Sequence, residues 1–203
     1  MPEKSLYFPD DKILVIADLH IGKLGYFRKK GVPLPLSGSK TTLLKLEQLL
    51  KTIMPDKVLF LGDLFHTGEE ILWQEFLQTI EKTGITARCT LIRGNHDKFT
   101  DSMYHSAGIE LRAAWQWGNF FFTHEPLDTV EEGWLNIAGH IHPKVKIKGN
   151  GKQILQLPCF LFSGRTILLP AFGHFTGGKT MTPRKGDVVY AIANTTVFHF
   201  EAK

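Results

Sequence analysis

Five short segments of this chain carry Asp, His and Asn side chains of the kinds that bind metal ions. In chain order they are Asp18-Leu19-His20, Gly62-Asp63, Gly94-Asn95-His96-Asp97, Thr123-His124 and Gly139-His140-Ile141-His142. Most of them directly follow a run of β-branched or aromatic residues, as at 13–17, 58–61, 90–92 and 120–122. Because open α/β sheets hold their ligands at the carboxyl ends of the strands, the pattern predicts that these side chains converge at one edge of a sheet.

The ligand types in these segments indicate a pair of divalent metal ions. The candidate ligands are Asp18, His20, Asp63, Asn95, His124, His140 and His142. On an extended segment, residues two apart face the same side, so Asp18 and His20 can reach one ion. The two oxygens of Asp63 can be shared between two ions roughly 3.5–4 Å apart. Taken singly, such residues can equally serve a turn or a strand end, and it is the complete set that predicts a metal site.

The first half of the chain alternates strands and helices. Apolar runs predict strands at residues 6–8, 12–17, 58–61 and 86–92. A leucine-rich stripe predicts a helix that begins at Ser37 or Ser39 and ends near Met54, and a second amphipathic pattern spans residues 69–82. This alternation implies parallel strands that are connected by helices.

The second half of the chain is rich in strands. They are predicted at residues 115–123, 144–148, 153–162, 166–169, 187–193 and 195–200, with a hairpin turn at Gly149-Asn150-Gly151. A βαβ half followed by a β-rich half predicts an α/β fold in which two sheets pack face to face as a sandwich flanked by helices. We expect residues 1–203 to form a single domain without a capping domain.

The order of the five segments resembles that of the calcineurin-like metallophosphoesterases. Their series of D-x-H, GD, GNH[DE], a lone His and GHxH is matched between about residues 13 and 143. The resemblance implies a dinuclear phosphoesterase whose nucleophile is a hydroxide that bridges two divalent ions, and Mn²⁺ is expected, with Fe²⁺ or Zn²⁺ as other candidates. It assigns Asp18, His20, Asp63 and His142 to the first ion, and Asp63, Asn95, His124 and His140 to the second.

Two residues beside these ligands receive catalytic roles from the resemblance. His96 is expected to lie over the phosphate, where it acts as a general acid or a cationic stabiliser and does not bind metal. Asp97 is expected to pair with His96, which would raise the pKa of the imidazole and fix its tautomer. His66, Arg93 and His174 are candidates to contact phosphate oxygens of the substrate.

Further motifs narrow the resemblance. The segment Gly62-Asp63-Leu64-Phe65-His66 lacks the Arg of the GDxxDRG motif, which disfavours a Ser/Thr phosphatase. Residues 18–23 (DLHIGK), 169–173 (LPAFG) and 175–178 (FTGG) resemble the bacterial DNA-ligase-associated metallophosphoesterases, proposed DNA-damage-response endonucleases of the PdeM type. This resemblance implies a phosphodiester substrate, with DNA as the expected one, and DNA ligase and associated repair proteins as partners.

The composition is compatible with this function. A net charge of +4 favours the approach of a phosphate-bearing substrate without demanding nucleic acid. The chain has no signal-peptide pattern at its start, no apolar run of 18 residues and only two Cys residues, so we expect a cytoplasmic protein without a membrane partner. The alternatives are a phosphoesterase of nucleotides or cyclic nucleotides and, from another class, a catalytically silent scaffold in a repair complex.

Overall fold

The first of two sheets holds the βαβ half of the chain. The computed structural model describes residues 1–33, 38–84, 87–148, 153–174 and 176–202. The strands of this sheet are Ser5–Phe8 (β1), Ile13–Ile16 (β2), Lys57–Leu61 (β3), Arg88–Ile92 (β4) and Ile109–Arg112 (β5), in the order β1-β2-β3-β4-β5. Strands β2 to β5 are parallel, and β1 pairs with β2 in the antiparallel sense.

Helices lie between these strands in the chain. They are Lys23–Lys29 (α1), Gly38–Ile53 (α2), Glu70–Thr83 (α3) and Asp101–Ser106 (α4). Leu46 and Leu50 of α2 and Phe76 of α3 share one buried cluster with Leu14 and Phe60 of the sheet. The two long helices therefore cover the outer face of the first sheet. Among the described residues, no helix combines the length and the apolar character that a membrane span requires.

The second sheet contains the later strands. They are Trp115–Trp117 (β6), Phe120–Thr123 (β7), Leu135–Ala138 (β8), Pro143–Lys148 (β9), Ile154–Ser163 (β10), Thr166–Leu168 (β11), Lys179–Met181 (β12), Val188–Ala193 (β13) and Thr196–Glu201 (β14). The order is β12-β9-β10-β11-β8-β7-β6, and β13 pairs with both β10 and β14. Neighbouring β7 and β8 are parallel, so their carboxyl ends lie at the same edge.

The core of the sandwich follows from the alternation of side chains along the strands. Leu14 and Ile16 of β2 point into the cluster beneath the helices. Val15, between them, packs in a second cluster with Phe122 and Ile137 of the other sheet. Because helices cover one face of the parallel strands and a sheet covers the other, all four residues of β2 are buried.

The predicted α/β sandwich is confirmed, with differences in detail. The stretch 115–123, predicted as one strand, forms the hairpin of β6 and β7 with Gly118-Asn119 at its turn. Elements α1, α4, β5, β8 and β12 were not predicted, because most are short. The apolar pattern of β8 is also broken by the buried Asn136, whose amide donates to the carbonyl of Phe121 and to Oγ1 of Thr123. The predicted turn at 149–151 lies outside the described residues.

Candidate metal centre

Both sheets deliver ligand-type side chains to one edge of the sandwich. Asp18 follows β2, Asp63 follows β3 and Asn95 follows β4, three neighbouring strands that run parallel. His124 follows β7, and His140 follows the parallel neighbour β8. The predicted convergence at carboxyl ends therefore occurs, with contributions from two sheets and not from one.

The first group of ligand atoms comes from Asp18, His20 and His142. Oδ1 of Asp18 lies 3.2 Å from Nε2 of His142, and the Nε2 atoms of His20 and His142 are 3.3 Å apart. Burial, followed by the charge of Lys23, lowers the pKa of His20 far below its usual value, so this imidazole is neutral. A neutral imidazole beside a carboxylate is the kind of donor set that a divalent ion requires.

The second group comes from His124 and His140. Nε2 of His124 lies 3.1 Å from Nδ1 of His140 and 3.6 Å from Oδ1 of Asp63. Nδ1 of His124 lies 2.9 Å from the carbonyl of Leu61. That contact makes Nδ1 the protonated nitrogen and leaves the lone pair of Nε2 facing His140 and Asp63, as in ligating imidazoles whose second nitrogen is held by a carbonyl.

The Asp63 carboxylate lies between the two groups. Its Oδ2 is 3.6 Å from Nε2 of His20, and its Oδ1 is 3.6 Å from Nε2 of His124. Oδ1 of Asp18 also comes within 4.0 Å of His124, but it approaches Nδ1, the nitrogen that donates to Leu61. Asp63 is therefore better placed than Asp18 to be shared between two ions.

The backbone at the ligands is left-handed, which differs from the extended geometry expected for Asp18 and His20. Positive φ angles occur at Asp18 (54°), His20 (48°), Asp63 (49°), His140 (63°) and His142 (51°). Such a conformation costs of order 1–3 kcal/mol for each residue when nothing else stabilises it. At these five of the seven candidate ligands, the side chains converge because the chain turns sharply there, and not because of strand alternation.

Hydrogen bonds between the ligand segments hold this backbone. Oδ2 of Asp18 accepts from the amide of His140 at 2.9 Å, and Oδ1 of Asp63 accepts from the amide of His96 at 2.8 Å. The amide of His20 donates to the carbonyl of Asp63 at 2.9 Å. Each carboxylate thus accepts a hydrogen bond that orients a neighbouring segment, and the site is organised by the protein itself.

The donor set fits divalent ions. Oδ1 of Asp18 and Nδ1 of His20 are buried and have no hydrogen-bond partner among the described residues. The carboxylates of Asp18 and Asp63 are 0% and 4% exposed, without a Lys or Arg in ion-pair contact among the described residues. Buried carboxylates of this kind are stable when they coordinate a metal or are paired. Two carboxylates with several imidazoles suit Mn²⁺, Fe²⁺ or Zn²⁺.

Two exposed residues complete the edge of the second group. Nδ2 of Asn95 donates to Oε1 of Glu125 at 3.1 Å, and the same oxygen lies 3.9 Å from Nδ1 of His140. Glu125 was not predicted as a site residue, although it directly follows His124. Its carboxylate orients the amide of Asn95 and lies near the ring of His140.

The contacts of Asp97 correct the expected pairing with His96. Oδ1 of Asp97 accepts from the amides of Leu64 (2.8 Å) and Phe65 (3.3 Å), and Oδ2 accepts from the amide of Gly94 (2.9 Å). Burial raises the pKa of Asp97 to about 6, against the effect of these amides. Asp97 therefore ties the loop after β4 to the loop after β3, and it positions His96 through the backbone.

The residues expected to meet substrate occupy different surroundings. The half-buried rings of His66 and His96 stack with centroids 4.6 Å apart, and His96 lies 5.3 Å from the ring of His20. The guanidinium of Arg93 forms an ion pair with Asp101 and not with either of these rings. His174 is exposed, and its amide donates to Oγ1 of Thr42 at 3.1 Å. Of the three, His66 lies directly beside the candidate metal ligands.

The chain matches the model of one protein family, and it is similar to a solved structure over nearly its whole length. The sequence model of the calcineurin-like phosphoesterase family matches residues 11–168. The chain is similar to the crystal structure of Pseudomonas putida nuclease MPE, with 28% identity and a TM-score of 0.80, over 98% of this chain and 93% of that chain. A conserved uncharacterized protein from Streptococcus pneumoniae TIGR4, a predicted phosphoesterase, matches at 16% identity and a TM-score of 0.38, over 94% and 97% of the two chains. No curated protein matches the chain.

Gly62 allows the two groups of ligands to approach each other. A Cβ at this residue would lie 2.1 Å from Nδ1 of His124 and 2.9 Å from Cα of Gly94, and φ is 75°. We expect Gly62→Ala to displace His124, to lower the free energy of unfolding by roughly 1–3 kcal/mol and to weaken Mn²⁺ binding. Gly68→Ala, where a Cβ meets nothing within 4 Å, is the matched control. Thermal unfolding and calorimetric titration with Mn²⁺ measure both effects, and Mn²⁺ affinity equal to that of wild type in Gly62→Ala would refute this packing argument.

Proposed function

The chain belongs to the calcineurin-like phosphoesterase family, and from that membership we propose that it is a phosphodiesterase that uses two divalent ions to cleave nucleic acid. The position of the Asp63 carboxylate carries the proposal. Its two oxygens face imidazoles of two different groups, each at 3.6 Å. A shared carboxylate is the feature that separates a two-metal site from a pair of independent sites.

We propose the ligand assignment that the family resemblance implies. Asp18, His20, Asp63 and His142 would hold the first ion, and Asp63, Asn95, His124 and His140 would hold the second. When bound, the ions supply an activated water and neutralise charge on the phosphate. The protein fixes the ligands in place through the amides of His96 and His140, so the site needs little rearrangement to bind metal.

His96 acts on the substrate. Its amide is anchored to Oδ1 of Asp63 at 2.8 Å, and its ring stacks on His66. This anchor places the imidazole beside the first group without making it a ligand. It can then donate a proton to the leaving oxygen, or stabilise negative charge on the phosphate. Asp97 contributes by holding the loop that carries His96.

Three observations support nucleic acid as the substrate. A solved structure that is similar over 98% of this chain is that of a nuclease. The segment after Asp63 lacks the Arg that grips phosphate in protein phosphatases. The sequence pI of about 9.0 favours a polyanion. His66, Arg93 and His174 are candidates to touch phosphate oxygens, and Arg93 would first have to leave Asp101.

Several finer expectations accompany this proposal. Mn²⁺ as the native ion, a single domain over residues 1–203, and a role in DNA repair with DNA ligase as partner stay predictions. The second candidate function is hydrolysis of nucleotides or cyclic nucleotides, which the same ligands would support.

A two-metal site predicts unequal effects for two carboxylates. Wild type should bind two Mn²⁺ per chain, Asp63→Asn should weaken both ions, and Asp18→Asn should chiefly weaken one, because only Asp63 faces both groups. The exposed Asp11→Asn, in the turn before β2, is the matched control. Calorimetric titration and elemental analysis give the affinities and the stoichiometry. One ion or none per chain at Mn²⁺ saturation would overturn the dinuclear assignment.

His96→Ala separates catalysis from metal binding. We expect the rate of phosphodiester hydrolysis to fall about 10²- to 10⁴-fold, which is typical of a lost general acid or base, while both ions stay bound. The control is His105→Ala, an exposed residue of α4, which should keep the wild-type rate. Steady-state kinetics and Mn²⁺ titration are measured on the same preparations. Loss of metal from His96→Ala would mean that His96 is itself a ligand.

The substrate class is tested by comparing esters in Mn²⁺. The substrates are an aryl phosphodiester, its aryl monoester, and single- and double-stranded DNA. We expect the aryl diester to be hydrolysed faster than the monoester. The affinity for DNA should fall as the salt concentration rises, with a slope of roughly −0.7 to −0.9 per phosphate contact on a log–log plot. Faster monoester hydrolysis, or DNA cleavage that is insensitive to salt, would favour the small-molecule candidate. If none of these esters is hydrolysed, the protein is a catalytically silent scaffold.

A further inference from the structure

Ala171, Gly173, Thr176 and Gly177 line a small pocket that opens beside the candidate metal centre. This pocket, here called the lysine pocket, has a volume of about 140 Å³. The residues that matter for its chemistry are Lys4, His142, Lys144, Gly173, Thr176 and Gly177. Because His142 belongs to the first group of metal ligands, the pocket is continuous with that group.

Backbone contacts fix the chain around Gly173 against the ligands. The amides of Phe172 and Gly173 donate to the carbonyls of Ala17 (2.9 Å) and Asp18 (3.1 Å). A Cβ at residue 173 would lie 2.2 Å from the carbonyl oxygen of Leu19, so this close approach requires Gly. Nζ of Lys23 donates to the carbonyl of Thr176 at 3.1 Å. The wall of the pocket is therefore attached to the segment that carries Asp18.

The pocket carries positive charge that the described residues leave uncompensated. Lys4 and Lys144 line it, no carboxylate does, and neither ammonium forms an ion pair with a described residue. Burial, followed by the charge of Lys144, lowers the pKa of Lys4. Two partly buried ammonium groups close to each other are unfavourable unless an anion joins them.

Further charges surround Lys4 behind the pocket. Burial, followed by the charge of Lys4, lowers the pKa of Lys45 to about 7, and the carboxylate of Glu3 acts in the opposite direction on Lys45. Burial and then Lys4 also lower the pKa of His174. Lys4 thus acts on both Lys45 and His174, and Glu3 counteracts the effect at Lys45.

We propose that the lysine pocket binds a second phosphate group of the substrate. This phosphate would be the neighbour, along the nucleic-acid strand, of the phosphodiester held at the metal ligands. A volume of about 140 Å³ is well above the ~10–15 Å³ that a single water requires, so one phosphate group fits. This inference rests on the proposed phosphodiesterase function. It assigns recognition of a polynucleotide to Lys4 and Lys144, and it gives Gly173, Thr176 and Gly177 a binding role.

The test uses substrates that differ only in the second phosphate. They are a thymidine dinucleotide with one internal phosphodiester, the same dinucleotide with a 5′- or a 3′-terminal phosphate, and the trinucleotide with two internal phosphodiesters. Wild type with Mn²⁺ should prefer substrates that carry a second phosphate either 5′ or 3′ of the cleaved bond. The preference is the ratio of kcat/KM for such a substrate to kcat/KM for the plain dinucleotide. Lys4→Gln and Lys144→Gln should each reduce that ratio on the order of tenfold or more, as expected for a lost hydrogen bond to a charged group.

Two further measurements make the result specific. Each lysine variant should reduce the magnitude of the salt slope for oligonucleotide cleavage by about one, because one phosphate contact is lost. Lys185→Gln, which removes an exposed charge in the turn before β13, should keep the wild-type ratio. Removing an unpaired charge should leave the melting temperature equal or higher. If Lys4→Gln does not fold, Lys144→Gln on β9 carries the same test.

The outcomes separate this inference from the function on which it rests. If wild type cleaves the plain and the phosphorylated dinucleotides equally well, the lysine pocket is not a phosphate subsite, although the phosphodiesterase function stands. If the lysine variants keep the wild-type ratio, the subsite lies elsewhere. If wild type cleaves no diester, the proposed function itself fails. If wild type also prefers the trinucleotide over the plain dinucleotide, the pocket binds an internal phosphate of a polynucleotide. If it prefers only the dinucleotides with a terminal phosphate, the pocket binds the terminal phosphate of a short nucleotide.

Discussion

The Asp63 carboxylate is the contact on which the rest of the site depends. It lies where the carboxyl ends of both sheets meet, with His20 on one side and His124 on the other. The approach is possible because Gly62 and Gly94 leave no side chain in the way. A Cβ on Gly94 would lie 2.4 Å from the amide nitrogen of Asp63. The sandwich thus brings two sets of loops together at a distance that only Gly tolerates.

The charges around this contact are arranged in layers. The innermost layer contains the carboxylates of Asp18 and Asp63 together with the imidazoles of the candidate ligands, a set that attracts cations. Outside it lie Lys4 and Lys144, which line the lysine pocket and form no ion pair with a described residue. Such an arrangement favours metal in the centre and phosphate around it. The same positive charges would repel an additional metal ion from the rim.

Much of this site is predictable from the sequence, because ligand chemistry and strand ends are local signals. The runs before Asp18 and Asp63 predicted both the parallel strands and the edge at which the ligands meet. The left-handed backbone at Asp18 and His20 was not predictable, because it depends on hydrogen bonds from distant segments such as the amide of His140. The partners of Asp97 were mispredicted for the same reason, since three amides from other positions compete with the neighbouring His96.

The proposed site requires that Asp63 be shared between two metal ions. Anomalous X-ray diffraction from crystals grown with Mn²⁺ distinguishes the two ions, because each gives its own peak. We expect two peaks per chain, roughly 3.5–4 Å apart, with one oxygen of Asp63 coordinated to each ion or a single oxygen shared by both. His20 and His142 should bind one ion, and His124 and His140 the other. A single peak, or two peaks of which only one contacts Asp63, would rule out a shared Asp63.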